Sequence, residues 1–208
     1  MPKSAIAQRF RGFLPVVIDV ETGGFNAATD ALLEIAAVLV TCDEARGWHR
    51  AETIAHHVKP FEGGRLEESA LRFNKIDPYH PFRLAVAERD ALSNIFARVR
   101  EAVQAQGCTR AILVGHNPAF DLSFVKAAVE RCRLKRNPFH AFSTFDTASL
   151  AGVAFGQTVL SRAVTAAQFD WCEEDAHSAI YDAEKTADLF CVIVNQWDAL
   201  RGSSLPSG

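Results

Sequence analysis

Apolar residues crowd the first third of the chain in near-continuous or alternating runs and only later settle into a helical period. Residues 14–20 (L-P-V-V-I-D-V) are β-branched, too short for a helix, and end at Glu21-Thr22-Gly23-Gly24. They predict a buried strand running into a turn. Residues 31–40 predict a second strand, and residues 52–58 a third, with Ile54, His56 and Val58 on one face. Short connections make these an antiparallel meander, closed by Pro60 and Gly63-Gly64. Leu92, Ile95, Phe96, Val99 and Val103 then repeat with helical spacing, and Gly107 stands where that helix would stop. Residues 111–114 predict a short strand. Phe120, Phe124, Val125, Ala128 and Cys132 mark a second helix, and residues 143–145 a last strand. Helices fill residues 147–167 around a break at Gly156. In the final helix Ala183, Ala187, Phe190, Val194 and Trp197 are spaced 4, 3, 4, 3. The order β-β-β-α-β-α-β-α-α predicts an α/β fold, a mixed five-stranded sheet flanked by helices.

A chain of 208 residues buries about 70% of its unfolded surface and needs no disulfide staples. No repeat or Pro/Gly/Ser linker divides it, so one domain is expected over residues 1–200, with a disordered tail over 201–208. The net charge of −3 excludes a globally basic nucleic-acid coat and a disordered polyacid. No apolar run approaches the ~18 residues of a membrane span, and residues 1–10 lack the apolar core of a signal peptide. Cys42, Cys108, Cys132, Cys172 and Cys191 form no C-x-x-C. They are expected to be reduced core thiols of a cytoplasmic protein.

Asp19 and Glu21, at i and i+2, share one face of the first strand. Paired carboxylates there repel and lose hydration. Either they decorate a turn or a hard cation such as Mg²⁺ or Mn²⁺ compensates them. Asp121 follows G-H-N-P-A-F in the first turn of a helix. It either complements the helix dipole or joins the same site. Asp182 heads the last helix, directly before the apolar stripe, where a carboxylate is costly without a cation or donor. Five helical steps would turn His177 about 140° away from Asp182. His177 is therefore better placed on the entering loop, leaning over the site, unless it merely caps the surface. One chemistry joins these residues: phosphodiester hydrolysis with two metal ions and a histidine that takes a proton from water. No G-x-S-x-G, H-E-x-x-H, Walker A or G-x-G-x-x-G motif supports another.

Asp19-Val20-Glu21-Thr22, then Gly115-His116-Asn117 leading to Asp121, then His177-x-x-x-x-Asp182 resemble the three motifs of the DEDDh 3′→5′ exonucleases. Longer segments carry the resemblance into an RNA-trimming branch of that family: R-F-R-G-F-L-P-V-V-I-D-V-E-T-G-G-F-N, F-N-K-I-D-P, N-P-F-H-A-F-S-T-F-D-T and D-A-H-S-A-I-Y-D-A, spanning residues 9 to 197. The resemblance implies a ribonuclease H-like fold and two Mg²⁺ ions, replaceable by Mn²⁺. Asp19, Glu21, Asp121 and Asp182 would be metal ligands and His177 the general base. It also implies a homodimer that trims the 3′ ends of tRNA, rRNA precursors and other stable RNAs, releases nucleoside 5′-monophosphates and digests single-stranded DNA ends. It places Phe25, Phe73, Phe120 and Phe142 around the terminal bases. Ser69 stands where the family has a glutamate that can contact a base, with Glu67 and Glu68 beside it, so base preference is expected to differ.

Fifteen Phe against 2 Tyr and 3 Trp fit this picture. Phe25 follows the carboxylate turn and Phe120 precedes Asp121, where a ring stacks on bases without a buried hydroxyl to satisfy. Phe96, Phe124 and Phe190 fall on apolar stripes and belong to the core. Lys126, Arg131, Arg133, Lys135 and Arg136 against Glu130 give a local charge of +4, and Lys3, Arg9 and Arg11 add to it. Such a run is either a solvated helix face or a phosphate track. If it lies opposite the carboxylates, a dimer would bring it to the partner's site. His116 is expected to make a structural hydrogen bond. Two other readings remain open at this level: a DNA proofreading or repair exonuclease, and a non-catalytic nucleic-acid-binding module.

Overall fold

The computed structural model describes residues 4–203. Lys3 of the N-terminal basic run and residues 204–208 of the expected tail lie outside them. A short helix α1 (Ala5–Gln8) leads into three long strands, β1 (Phe13–Thr22), β2 (Leu32–Asp43) and β3 (Gly47–His57). Helices α2 (Glu68–Asn74) and α3 (Glu88–Ala105) follow, then β4 (Arg110–Gly115), α4 (Ala119–Arg131) and β5 (Phe139–Asp146). The chain closes with α5 (Thr147–Phe155), α6 (Leu160–Ala166) and α7 (Ala179–Ser203). The strand order is β3-β2-β1-β4-β5. The β1–β2–β3 meander is antiparallel, whereas β4 and β5 join in parallel. The mixed sheet and its five strands follow the pattern in the sequence. Helix α7 packs on β1, β2 and β3 and carries α5 and α6, while α3 and α4 pack on each other and on the sheet.

Leu14 through Ile18 of β1 are all buried, as expected of a strand covered on both faces. Phe96, Phe124 and Phe190 are fully buried from α3, α4 and α7, each contributing about 1.5–3 kcal/mol of apolar burial.

Four expectations need correction. Trp197 completes the spacing of the last helix but is 58% exposed, so the periodic stripe outruns the buried core at the end of α7. Cys172 lies on the exposed loop before α7 rather than in the core. The tail does not begin at residue 201, since α7 runs through Ser203. Helix α2 adds to the expected elements: of its seven residues only Asn74 is buried, so it shows no apolar stripe.

Candidate active site

Strand β4 accompanies β1 only from Phe13 to Val17. Beyond that point the β1 edge is open, and a crevice forms at the carboxyl ends of two parallel strands, the usual location of a site in such sheets. Asp121 closes the gap. It lies in the first turn of α4, buried, and its Oδ1 accepts the backbone N–H of Val20 at 3.1 Å. A register shift in the β1–β2 pairing between Glu21 and Thr22 bends the strand end as it leaves the sheet. Gly24 in the following turn must be glycine, because a Cβ there would overlap the Asp30 carboxylate. Across the crevice, Asp182 occupies the first turn of α7.

Asp19, Glu21 and Asp182 each bring one carboxylate oxygen within 4.8 Å of the others. His177 sits on the loop before α7 with φ 65°, the placement expected of it. Its backbone N–H donates to Asp182 Oδ2 at 3.3 Å, and its ring lies against Phe73. Asp182 Oδ1 is buried and meets no donor. A buried acceptor without a donor calls for explanation, and a hard cation held by oxygen supplies one. The donor set, all carboxylate, fits a divalent ion of that class.

The electrostatics agree. Burial, then the charges of Asp121, Asp182, Glu21 and Glu34, hold Asp19 well above the usual carboxylate range. Burial, then Asp182, Glu34 and Asp121, push Glu21 up to about 8. Burial alone raises Asp121 to about 7 and Asp182 to about 6, against the hydrogen bonds each accepts. Four acids from three elements thus resist ionising together, and a bound cation would offset the repulsion that opposes it.

A family profile described as Exonuclease matches residues 16–190. The chain belongs to this exonuclease family. The enzyme is therefore a 3′→5′ phosphodiester hydrolase of a divalent-metal-dependent class. It is 59% identical to Ribonuclease T of Vibrio vulnificus (strain YJ016) over 198 residues, 95% of this chain and 91% of that protein. It is 59% identical to Ribonuclease T of Marinobacter nauticus over 201 residues, 97% of this chain and 91% of that one. Among solved structures, E. coli exonuclease I in complex with a dT13 oligonucleotide superposes with a TM-score of 0.69 at 17% identity. That match covers 92% of this chain, which spans 43% of the longer one. The fold is ribonuclease H-like.

Around the carboxylates the exonuclease gathers three of the four phenylalanines singled out above. Phe25 and Phe73 are 80% and 65% exposed, and Phe120 lies with its ring 6.2 Å from that of Phe25. Phe142 is not among them. It projects from a bulge in β5 against His140, whose ring faces Phe13, about 20 Å along β1 from Asp19. Arg11 reaches the same end, over the Phe13 ring. Arg133, Lys135 and Arg136 follow the C-terminus of α4, roughly 15 Å along that helix from Asp121, and are exposed. Arg9 and Arg131 are spent elsewhere: Arg9 pairs with Asp198, and Arg131 with Glu88.

Three supporting residues go unmarked by the sequence pattern. Glu34 pairs in register with Glu21 and accepts the N–H of Ala179 at the start of α7 and His57 Nδ1. Its one signal is a lone acid in an apolar strand. Asn74 donates from Nδ2 to the Thr22 carbonyl at 3.0 Å, tying α2 to the acid strand. Asp146 accepts the N–H groups of Asn117 and Ala148, each at 3.0 Å, and so fixes the turn between β4 and α4. His116 makes the expected structural hydrogen bonds, with Thr147 Oγ1 and the Thr158 carbonyl.

Proposed function

We propose that this exonuclease trims single-stranded 3′ ends of RNA, tRNA and rRNA precursors among them, and releases nucleoside 5′-monophosphates. The observation that carries the reading is the donorless Asp182 Oδ1 within a three-carboxylate cluster that Asp121 adjoins. Identity near 59% to proteins named Ribonuclease T supports RNA as the substrate. E. coli exonuclease I, of like fold, is in complex with dT13, which supports single-stranded DNA as a second substrate.

Asp19, Glu21, Asp121 and Asp182 would hold two Mg²⁺ ions, with Mn²⁺ a substitute. Such ions, when bound, stabilise the attacking and leaving oxygens of an in-line displacement. The imidazole of His177 takes the proton of the attacking water. The water oxygen bonds to phosphorus, the P–O3′ bond breaks, and the departing O3′ takes up a proton from solvent, so that the shortened strand ends in a 3′-hydroxyl while the phosphate stays on the 5′ side of the released nucleotide. Phe25, Phe73 and Phe120 stack on the last bases, which favours a frayed single strand over a paired one. Residues 1–200 act as one exonuclease domain.

The enzyme is proposed to work as a homodimer in the cytoplasm. Phe142, Arg11, Arg133, Lys135 and Arg136 lie at the end of the sheet away from the carboxylates, so a second copy is what would bring them to a bound strand. No helix among the described residues is long and apolar enough to cross a membrane.

The test is incubation with a tRNA carrying extra 3′ nucleotides, following product length with time. Stepwise shortening from the 3′ end with Mg²⁺, abolished by chelator, is expected. Internal cleavage products or shortening in chelator would refute the reading.

A further inference from the structure

Arg131, the last residue of α4, belongs by sequence to a basic run, yet its guanidinium is occupied on its edges and its face. Nη2 donates to Glu88 Oε1 at 2.7 Å and Nε to Glu88 Oε2 at 3.2 Å, a bidentate pair. Nη1 donates to the Ala27 carbonyl at 2.9 Å. The flat face lies 4.1 Å from the Phe61 ring centroid. The Glu88 side chain is only 6% exposed. A buried carboxylate is tolerated only with such partners, so the pair cannot be dismissed as a surface contact.

Ala27 belongs to the turn that carries Phe25. Inside that turn, buried Asp30 accepts the Asn26 N–H at 2.8 Å and the Thr29 hydroxyl at 2.7 Å. Asp30 thus ties the turn to itself, while Arg131 ties it to α3 and α4. We infer that Arg131 is a positioning residue: with Glu88 and Phe61 it bolts the Phe25 turn in place, and so sets how firmly the 3′-terminal bases are gripped. The inference rests on the reading of Phe25 as a base contact. It separates Arg131 from Arg133, Lys135 and Arg136, which are free to meet phosphate.

The experiment is a double-mutant cycle on hydrolysis of a ten-nucleotide single-stranded RNA. Lysine keeps the charge but lacks the fork and the flat face. Arg131→Lys is expected to raise KM by about five- to 150-fold, the range of one base stack, with kcat changing less. Phe25→Ala should do the same. Because Arg131 acts through Phe25, the double variant should be no worse than Phe25→Ala, a non-additivity that general destabilisation would not produce. Additive losses, or no effect of Phe25→Ala alone, overturn the inference. Neither outcome touches the nuclease reading, which the wild-type enzyme tests in the same assay. A second variant, Glu88→Leu with Arg131→Met, removes both charges without orphaning either. It should raise KM alike and leave the dependence on salt unchanged. A slope smaller by about 0.7 would make Arg131 a phosphate ligand and overturn the inference as well.

Discussion

The rings of Phe73 and His177 lie 4.2 Å apart, centroid to centroid, with planes tilted by 48°. The residue proposed to stack on a base therefore also supports the residue proposed to move a proton. The two roles separate on mutation. His177→Ala removes the base but leaves the stacking surface. Turnover should fall about 10²–10⁴-fold, with single-strand affinity changed less than threefold. Phe73→Ala removes both the stack and the ring support, so affinity and turnover should fall together. Steady-state kinetics paired with a binding titration read the difference. Equal losses of rate and affinity in His177→Ala would make that histidine a structural residue.

Much of this site is legible in the sequence because its acids stand where chain geometry leaves little choice. Asp19 and Glu21 share a strand face by period alone, and Asp182 precedes an unbroken helical stripe. The tertiary supports are not legible. Glu34 acquires meaning only when β2 pairs in register with β1 and places it opposite Glu21. Helix α2 exposes most of its surface and so has no hydrophobic period to announce it. Arg131 looks like its basic neighbours because charge in a sequence carries no direction. Its side chain turns inward toward a glutamate 43 positions away. Phe142 shares its residue type with Phe25, yet the β5 bulge places it near the other end of the sheet.

Asp182→Asn tests the cation site. The substitution removes one of the negative charges that face each other and takes away a hard ligand. Hydrolysis should drop below detection at saturating Mg²⁺. The folded chain should keep its thermal stability or gain in it at pH 8, measured without metal, since a charge that burial opposes has gone. Wild-type turnover in this variant would dismiss the assignment. A loss of folding would mean that the charge of the carboxylate, beyond the oxygen that accepts the His177 N–H, holds the start of α7.

The raised acids also fix a direction for stability against pH. Asp19, Glu21, Asp121 and Asp182 all bind protons more tightly in the folded chain than in the unfolded one, where carboxyls titrate near about 4. Their contribution is fully present below that unfolded value. It is lost as pH rises through the folded values, about 6 for Asp182, about 7 for Asp121 and about 8 for Glu21. Metal-free enzyme should therefore lose thermal stability steadily between pH 5 and pH 8. Under the proposed reading Mg²⁺ is held only by the folded, ionised site, so it should restore stability most at the alkaline end. Melting curves at each pH with chelator or with metal test both. Metal-free stability that rises over this interval would contradict a cluster of mutually repelling acids.

Arg133, Lys135 and Arg136 pose the remaining question, since within one chain they lie far from the carboxylates. If they track phosphates of a strand held at a partner's site, reversing the three charges to glutamate should weaken single-strand binding and flatten its dependence on salt. Each phosphate left without its cation reduces the slope of log affinity against log salt by about 0.7. Three such phosphates would thus remove about two units of slope. The effect should depend on dimerisation. An equimolar mixture of the charge-reversed chain with an Asp182→Asn chain of intact patch should regain part of its activity, because one hybrid site pairs intact carboxylates with an intact patch. Neither parent homodimer has such a site. A mixture no more active than its parents, with the slope unchanged, would mean that these cations form a solvated helix end and that the strand leaves the site by another route.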